Sequence, residues 1–202
     1  AAGPVFSSGH DLSELKGRAE AEYAEVFELC TALMEAVRLL PQPVIAQVDG
    51  LATAAGCQLV ATCDLAVCSD TSRFATPGVK TGLFCTTPGV AVARAVPQKK
   101  AMEMLLTGAP ISALEAEKAG LVNRVVPASE LESTTHALAV LIAEASATTV
   151  AEGKCAFYRQ VDMERPEAYK FAESVMVANL LEPDAQEGIT AFFEKRKPLW
   201  KN

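Results

Sequence analysis

The chain has 202 residues, of which 50% are hydrophobic and 21% are charged. This length suits one domain, or one domain with a helical appendage, and the composition is typical of a globular protein rather than a disordered one. The formal net charge is −7 and the one basic cluster lies at residues 195–197, so the sequence predicts no nucleic-acid surface. No apolar run reaches the roughly 18 residues of a transmembrane helix, and none is predicted.

The first part of the chain shows one helix pattern followed by one strand pattern. Apolar residues recur at three- and four-residue steps from Tyr23 through Leu33 to Leu40, which predicts one buried face of a helix. Pro41 ends that helix. Residues 44–48 are apolar and largely β-branched, and they predict a strand buried on both faces of a parallel sheet.

The next elements surround a long loop. Residues 54–63 predict a helix, and residues 65–68 predict a strand. Residues 77–89 are rich in glycine, proline and threonine and form the longest predicted loop, which is typical of a functional segment. Beyond this loop the pattern predicts a helix at 98–106 and a strand at 121–126.

The last third of the chain is predicted to be helical. Ser112 and Glu115 have the spacing of a capping box, and the helix that they open stops at Gly120. Beyond the last predicted strand every periodic segment has helical spacing. We therefore predict an α/β body over residues 1–127 and a helical region over residues 128–202.

Six cysteines occur without CxxC spacing and without neighbouring histidines. This pattern predicts reduced, buried thiols and no metal site, and reduced thiols indicate an intracellular or organellar compartment. The cysteines are Cys30, Cys57, Cys63, Cys68, Cys85 and Cys155.

Two junctions between a strand-like and a helix-like stretch consist of very small residues. They are FSSGHDL at residues 6–12 and DGLATAAGCQL at residues 49–59. Small side chains let a ligand approach the backbone, and a helix N-terminus presents unpaired N–H groups backed by the helix dipole. Two such junctions converging on one point would form an oxyanion hole. Acid–base groups are scarce nearby, because no glutamate occurs between Glu35 and Glu103.

Further short blocks follow the junctions in a characteristic order. They are FATPG at 74–78, GLF at 82–84, TG at 107–108 and GITAFFEKR at 188–196. With the two junctions, and over the whole chain, they resemble the crotonase (enoyl-CoA hydratase/isomerase) superfamily. The resemblance implies an α/β fold, a ClpP-like spiral of ββα units with a C-terminal helical trimerisation region. It also implies that the first strands of the fold are missing from this chain.

The resemblance further implies a site for an acyl-CoA thioester, with no other cofactor and no metal. The amides that hold the thioester oxygen would belong to His10 and Ala55, since alanine keeps the N–H where relatives commonly have glycine. The matching basic segment would bring Lys195 and Lys197 towards the CoA phosphates. The remaining acyl-CoA contacts would come from Phe6, Ser8, Leu83 and Phe84.

The catalytic carboxylates of hydratases are not matched. Their positions correspond to Gln58 and Gly78. Glutamine can hydrogen-bond a water but cannot take its proton at neutral pH, and glycine can do neither. Because one positioned acid or base contributes about 10²–10⁴-fold, we expect no useful hydratase activity. Restoring both carboxylates together, by Gln58→Glu with Gly78→Glu, is expected to raise activity far more than either change alone.

Three functional readings stay open. The first is an acyl-CoA-binding protein of fatty-acid metabolism without hydratase activity. The second is an enzyme that uses only the oxyanion hole, such as a decarboxylase of malonyl-type thioesters, and the third is a weak hydratase using Gln58. The His10 residue could contribute only its backbone N–H, or its imidazole could also act as a base. Cys57 or Cys85 could act as a nucleophile only if a base activated its thiol.

The sequence also leads to expectations for the oligomeric state and the cellular location of the protein. The late helices carry more apolar side chains than one small region can bury, among them Phe192 and Phe193, and such surfaces mark interfaces. We expect a homotrimer or a dimer of trimers. The resemblance also implies a mitochondrial protein, with its transit peptide outside this sequence.

Overall fold

The computed structural model describes residues 3–201. Their contacts divide them into two compact units. The first unit contains residues up to 38 together with 44–136, and the second contains residues 39–43 together with those from 137 onward. The two units are described separately below. The division falls inside a helix, and the boundary expected at 127/128 stays a prediction.

Strands and helices alternate along the chain in the first unit, whereas the second unit is helical. The strands are β1 (Val5–Ser7), β2 (Ile45–Val48), β3 (Leu51–Thr53), β4 (Leu65–Ser69), β5 (Arg73–Ala75), β6 (Ile111–Ser112) and β7 (Arg124–Val126). The α-helices are α1 (Glu20–Leu39), α2 (Ala55–Thr62), α3 (Thr86–Ala95), α4 (Gln98–Thr107), α5 (Ala113–Ala119), α6 (Leu131–Ala143), α7 (Ala147–Gln160), α8 (Arg165–Leu181) and α9 (Pro183–Glu194). Short 3₁₀ helices cover Pro77–Thr81 and Ala128–Glu130.

Two sheets run through the first unit. One has the strand order β1-β3-β5-β6 and the other has β2-β4-β7. All pairs are parallel except β5 with β6. Along the chain β2 lies in one sheet and β3 in the other before α2 begins, and β4 and β5 repeat this alternation. This is the predicted ββα repeat.

The core lies between the sheets and their helices. Phe74, Val48, Val60, Val92 and Met104 are fully buried there. Burying side chains of this size contributes about 1.5–3 kcal/mol each. The core therefore stabilises the strands that lie next to the two junctions.

The buried face of α1 differs from the predicted stripe. Met34 is buried, whereas Leu33 and Leu40 are 53% and 45% exposed. The prediction that residues 44–48 are buried on both faces is also wrong, because Gln47 is exposed. β2 is an edge strand of a three-stranded sheet, so its alternating side chains do not all meet a covering layer.

The predicted loop at 77–89 contains more regular structure than expected. It holds a 3₁₀ helix at Pro77–Thr81 and the first turn of α3. Glycine, proline and threonine disfavour helix interiors. Here Pro88 falls in the first turn of α3, where its missing N–H would have had no partner. β3 and β6 were also missed, because two or three residues are too short for a period to show.

Several local predictions are confirmed. The Glu115 amide donates to Ser112 Oγ at 3.2 Å, and the Ser112 amide donates to Glu115 Oε2 at 2.9 Å. α5 then ends at Gly120, whose φ is +83°.

All six cysteines are free thiols, and Cys57, Cys68 and Cys85 are buried as predicted. Cys30 and Cys63 are only half-buried, and the prediction of a buried thiol is wrong for the exposed Cys155. It lies on α7, a helix without buried residues.

The second unit consists of helices tied by polar contacts. Asn179 Nδ2 donates to Glu152 Oε2 at 2.9 Å, which joins α8 to α7. Arg196 makes two hydrogen bonds to the carboxylate of Glu187, of 2.6 and 3.0 Å. In residues 3–201 none of the helices combines the length and apolar character needed to cross a membrane.

Candidate functional site

A cavity of about 420 Å³ lies in the first unit, where the two junctions meet the segment that leads into α3. We call it the junction cavity. Its apolar lining residues include Leu12, Leu15, Phe27, Leu83, Phe84 and Pro88. The small and polar ones include Ser8, His10, Thr53, Ala54, Ala55, Gly78, Lys80, Thr81, Cys85, Thr86 and Thr87.

The two junctions touch through glycines. A Cβ at Gly56 would lie 2.4 Å from the Ser7 carbonyl oxygen, and a Cβ at Gly9 would lie 2.9 Å from the Ala55 nitrogen. Neither distance is compatible with a side chain in an unchanged backbone. Gly9 also has a φ of +86°, which only glycine adopts readily. The first turn of α2 can therefore rest directly on the end of β1.

The start of α2 leaves backbone donors open. Its N-cap residue, Ala54, makes no side-chain cap and has a φ of 52°, a conformation that costs a non-glycine residue about 1–3 kcal/mol. Within residues 3–201, the N–H groups of Ala55 and His10 form no hydrogen bond. Both residues line the junction cavity. Two unpartnered donors beside a helix N-terminus can hold an oxyanion.

The His10 side chain packs against α1. Its ring meets Phe27 edge-on, with 5.6 Å between the centroids and an angle of 78° between the planes. This packing gives the imidazole a structural role at the wall of the junction cavity. The carboxylate of Asp11 turns away into a local turn, where a hydrogen bond from the Ser13 amide lowers its pKa.

Gly78 is enclosed by its own loop. Its N–H donates to Cys85 Sγ at 3.2 Å, and its carbonyl accepts the Leu83 N–H at 3.0 Å. A Cβ at this position would lie 2.1 Å from the Leu83 carbonyl oxygen and 2.8 Å from Cys85 Sγ. The first contact is with backbone, which cannot rotate aside. The expectation that Gly78→Glu restores a working carboxylate is therefore opposed by the structure.

Gln58 lies outside the lining of the junction cavity. Its side chain is 5% exposed, and its Oε1 accepts a hydrogen bond from Cys30 Sγ on α1 at 3.9 Å. A buried amide needs such a partner. The Oε1 atom of this side chain therefore faces α1.

Two cysteines, Cys57 and Cys85, lie close to the first turn of α2 and the loop around Gly78. Burial, with a contribution from nearby Cys85, raises the pKa of Cys57 to about 12, so the thiolate that would attack is absent at neutral pH. The complete burial of Cys57 in the core fits a packing role instead. Cys85 lines the junction cavity and accepts the Gly78 N–H. Within residues 3–201 no group of three or more His, Cys, Asp or Glu side chains is placed to hold a metal.

The predicted site residues separate into two groups. Phe6 packs against the core rather than into the cavity. Lys195 and Lys197 belong to the second unit, so their contact with CoA phosphates stays a prediction. The predicted residues that share the junction cavity are Ser8, His10, Ala55, Gly78, Leu83 and Phe84.

Sequence reasoning missed part of the lining. Phe27 lies four residues after Tyr23, so the helical spacing of the apolar residues in α1 could have indicated it. Thr53 and Lys80 carried no recognisable signal. Of the described lining residues, Lys80 is the sole lysine or arginine, and there is no aspartate or glutamate among them.

Comparison with known proteins decides the family. The description "Enoyl-CoA hydratase/isomerase" belongs to the family profile that matches residues 2–202. The chain belongs to this family. It is 57% identical over 201 residues to enoyl-CoA hydratase domain-containing protein 3, mitochondrial, of Xenopus laevis, covering 99% of this chain and 68% of that protein. The human protein of the same name is also 57% identical, with 100% and 67% covered.

Solved structures confirm the predicted fold class. The crystal structure of human enoyl-CoA hydratase domain-containing protein 3 superposes with a TM-score of 0.96 and 57% identity, covering 98% of this chain and 79% of that chain. An enoyl-CoA hydratase of Mycobacterium smegmatis superposes with a TM-score of 0.97 and 47% identity, with 100% and 79% covered. The junctions described above therefore belong to a crotonase fold.

The packing around Gly78 yields a first prediction. Gly78→Ala should lower the free energy of unfolding by about 1–3 kcal/mol, because the added Cβ overpacks the loop. The matched control is Gly153→Ala, where nothing lies within 4 Å of the new Cβ and a helix interior favours alanine. Urea unfolding of both variants measures the difference. A Gly78→Ala protein as stable as the wild type would contradict the enclosed loop.

Proposed function

We propose that the protein binds acyl-CoA thioesters in the junction cavity and does not hydrate enoyl-CoA at a useful rate. The observation that carries the proposal is the pairing of open amides at His10 and Ala55 with an enclosed Gly78. Family membership supports the ligand class, since the similar proteins are named for enoyl-CoA hydration. The cavity then retains the binding part of the family's chemistry.

Binding follows from the groups that line the cavity. A thioester oxygen placed at the His10 and Ala55 amides would accept two hydrogen bonds, each worth about 0.5–1.5 kcal/mol net. As negative charge develops on that oxygen, each preorganised donor becomes worth about 3–4 kcal/mol. The apolar side chains of Leu83 and Phe84 would cover the acyl-pantetheine portion. No cofactor besides the CoA thioester is needed.

Hydration by a pair of carboxylates needs groups that the described lining of the cavity does not contain. Adding water requires a base for the water and an acid for the carbon, each worth about 10²–10⁴-fold. Among the described lining residues there is no aspartate or glutamate, and Gln58 is engaged with Cys30. These contacts also argue against the weak hydratase that would rely on Gln58.

A second candidate is decarboxylation of a malonyl-type thioester. The same two amides favour it, because loss of CO₂ leaves its electron pair in a thioester enolate and needs no base. The amides of His10 and Ala55 would hold the enolate oxygen, and water would supply the proton to carbon. Product analysis after incubation with malonyl-CoA separates this reaction from binding alone.

We also propose a mitochondrial location and a role in fatty-acid metabolism. The support is the word mitochondrial in the names of the similar proteins from Xenopus laevis and human.

The second prediction concerns the two amide donors. Ala55→Val keeps the N–H but adds two carbons where the thioester would lie, so acyl-CoA affinity should fall about tenfold or more. His10→Ala keeps its amide and should change affinity little if the imidazole only packs on Phe27. Calorimetric titration with acyl-CoAs of several chain lengths measures both. Ala93→Val, at an exposed position on α3, is the matched control.

The same protein should leave crotonyl-CoA unchanged. The conjugated enoyl thioester absorbs in the ultraviolet, and hydration removes that absorbance. A loss at a rate typical of hydratases, in protein free of host enzyme, would refute the proposed absence of hydration. Failure of every acyl-CoA to bind the full-length protein would refute the binding site itself.

We further propose that the protein assembles as a homotrimer or a dimer of trimers. The support is the apolar surface of the second unit, where Leu181 is 80%, Phe192 is 78% and Phe193 is 77% exposed. Large exposed apolar surfaces of this kind mark interfaces, and closed symmetry is the rule for soluble oligomers.

The third prediction tests this surface. Phe193→Glu should shift the sedimentation of the full-length protein towards the monomer, because a charge cannot be buried there without a partner. Thr148→Glu, at an exposed position on α7 of the same unit, adds the same charge and should leave assembly unchanged. A wild-type protein that sediments as a monomer at micromolar concentration would rule out the proposed assembly.

A further inference from the structure

The charged side chains among the described lining residues of the junction cavity are of one sign. Lys80 is the sole lysine or arginine among the described lining residues, and no aspartate or glutamate is among them. The cavity also receives the first residues of α3, Thr86 and Thr87, where a helix presents its positive end. An acyl group that enters this cavity therefore meets positive potential with no carboxylate to balance it.

Lys80 lines the junction cavity from an exposed position and has no counter-ion in the part of the chain that the structure describes. It lies in the 3₁₀ helix Pro77–Thr81, and its Cε lies 3.3 Å from the point that a Cβ on Gly108 would occupy. Its stem therefore runs close to the Gly108 backbone. Within residues 3–201 its ammonium makes no hydrogen bond or ion pair, unlike Lys100, which pairs with Glu103.

From these groups we infer that the acyl chains preferred by the cavity are carboxyacyl chains, whose free carboxylate pairs with Lys80. This inference rests on the proposed acyl-CoA binding and names the substrate class. A carboxylate entering a largely apolar cavity needs a cationic or hydrogen-bonding partner, and Lys80 supplies it. The apolar walls accept the methylene carbons between the thioester and the carboxylate.

The test compares matched pairs of thioesters in the full-length protein. The pairs are malonyl- with propanoyl-CoA, succinyl- with butanoyl-CoA, and glutaryl- with pentanoyl-CoA. We expect the carboxyacyl member of at least one pair to bind about tenfold more tightly, a difference of about 1.4 kcal/mol. Lys80→Met should remove that preference, and Lys80→Arg should retain most of it. Lys99→Met, at an exposed lysine on α4, should leave the ratio unchanged.

Each other outcome has a separate meaning. Equal binding within every pair, or a preference that survives Lys80→Met, overturns the inference while leaving acyl-CoA binding intact. If Lys80→Met weakens both members of a pair equally, Lys80 contacts the CoA phosphates, which also overturns it. The corresponding pantetheine thioesters, which lack the nucleotide phosphates, confirm which group Lys80 meets. If no thioester binds the wild type, the proposed function fails first.

Discussion

The site depends on the backbone contact between the end of β1 and the first turn of α2. No side chain fits at Gly56, where a Cβ would lie 2.4 Å from the Ser7 carbonyl oxygen, or at Gly9, where it would lie 2.9 Å from the Ala55 nitrogen. Because these two positions are glycine, both junctions reach the wall of one cavity. The start of α2 has no side-chain cap, and the N–H of Ala55, which lines this cavity, has no hydrogen-bond partner within residues 3–201.

A second constraint separates binding from acid–base chemistry. Donors for an oxyanion are backbone groups, which persist through changes of side chain. Proton transfer instead requires a side chain at a defined place, and the loop around Gly78 leaves no room for one between Leu83 and Cys85. In the proposed site the backbone donors would supply about 3–4 kcal/mol of charge stabilisation each, while a side chain at position 78 would strike the Leu83 carbonyl and Gln58 contacts Cys30.

The sequence predicted those parts of the fold that depend on local rules. The small-residue junctions, the Ser112 capping box and the alternation of strand and helix each have a residue pattern with a physical cause. It could not predict that Gln58 engages Cys30, that a side chain at Gly78 would strike the Leu83 carbonyl, or that Lys80 lines the cavity. Those contacts arise from tertiary packing of segments that are irregular or distant in sequence. Such segments have no hydrophobic periodicity from which the contacts could be predicted.

The most direct test of this account is a crystal structure of the full-length protein with a bound, non-hydrolysing acyl-CoA analogue. We expect the oxygen that stands for the thioester carbonyl to lie about 2.7–3.1 Å from the backbone nitrogens of both His10 and Ala55. We also expect the loop from Gly78 to Cys85 to keep its hydrogen bonds in the complex. An analogue bound elsewhere, or with its carbonyl turned away from both amides, would refute the proposed role of the two junctions.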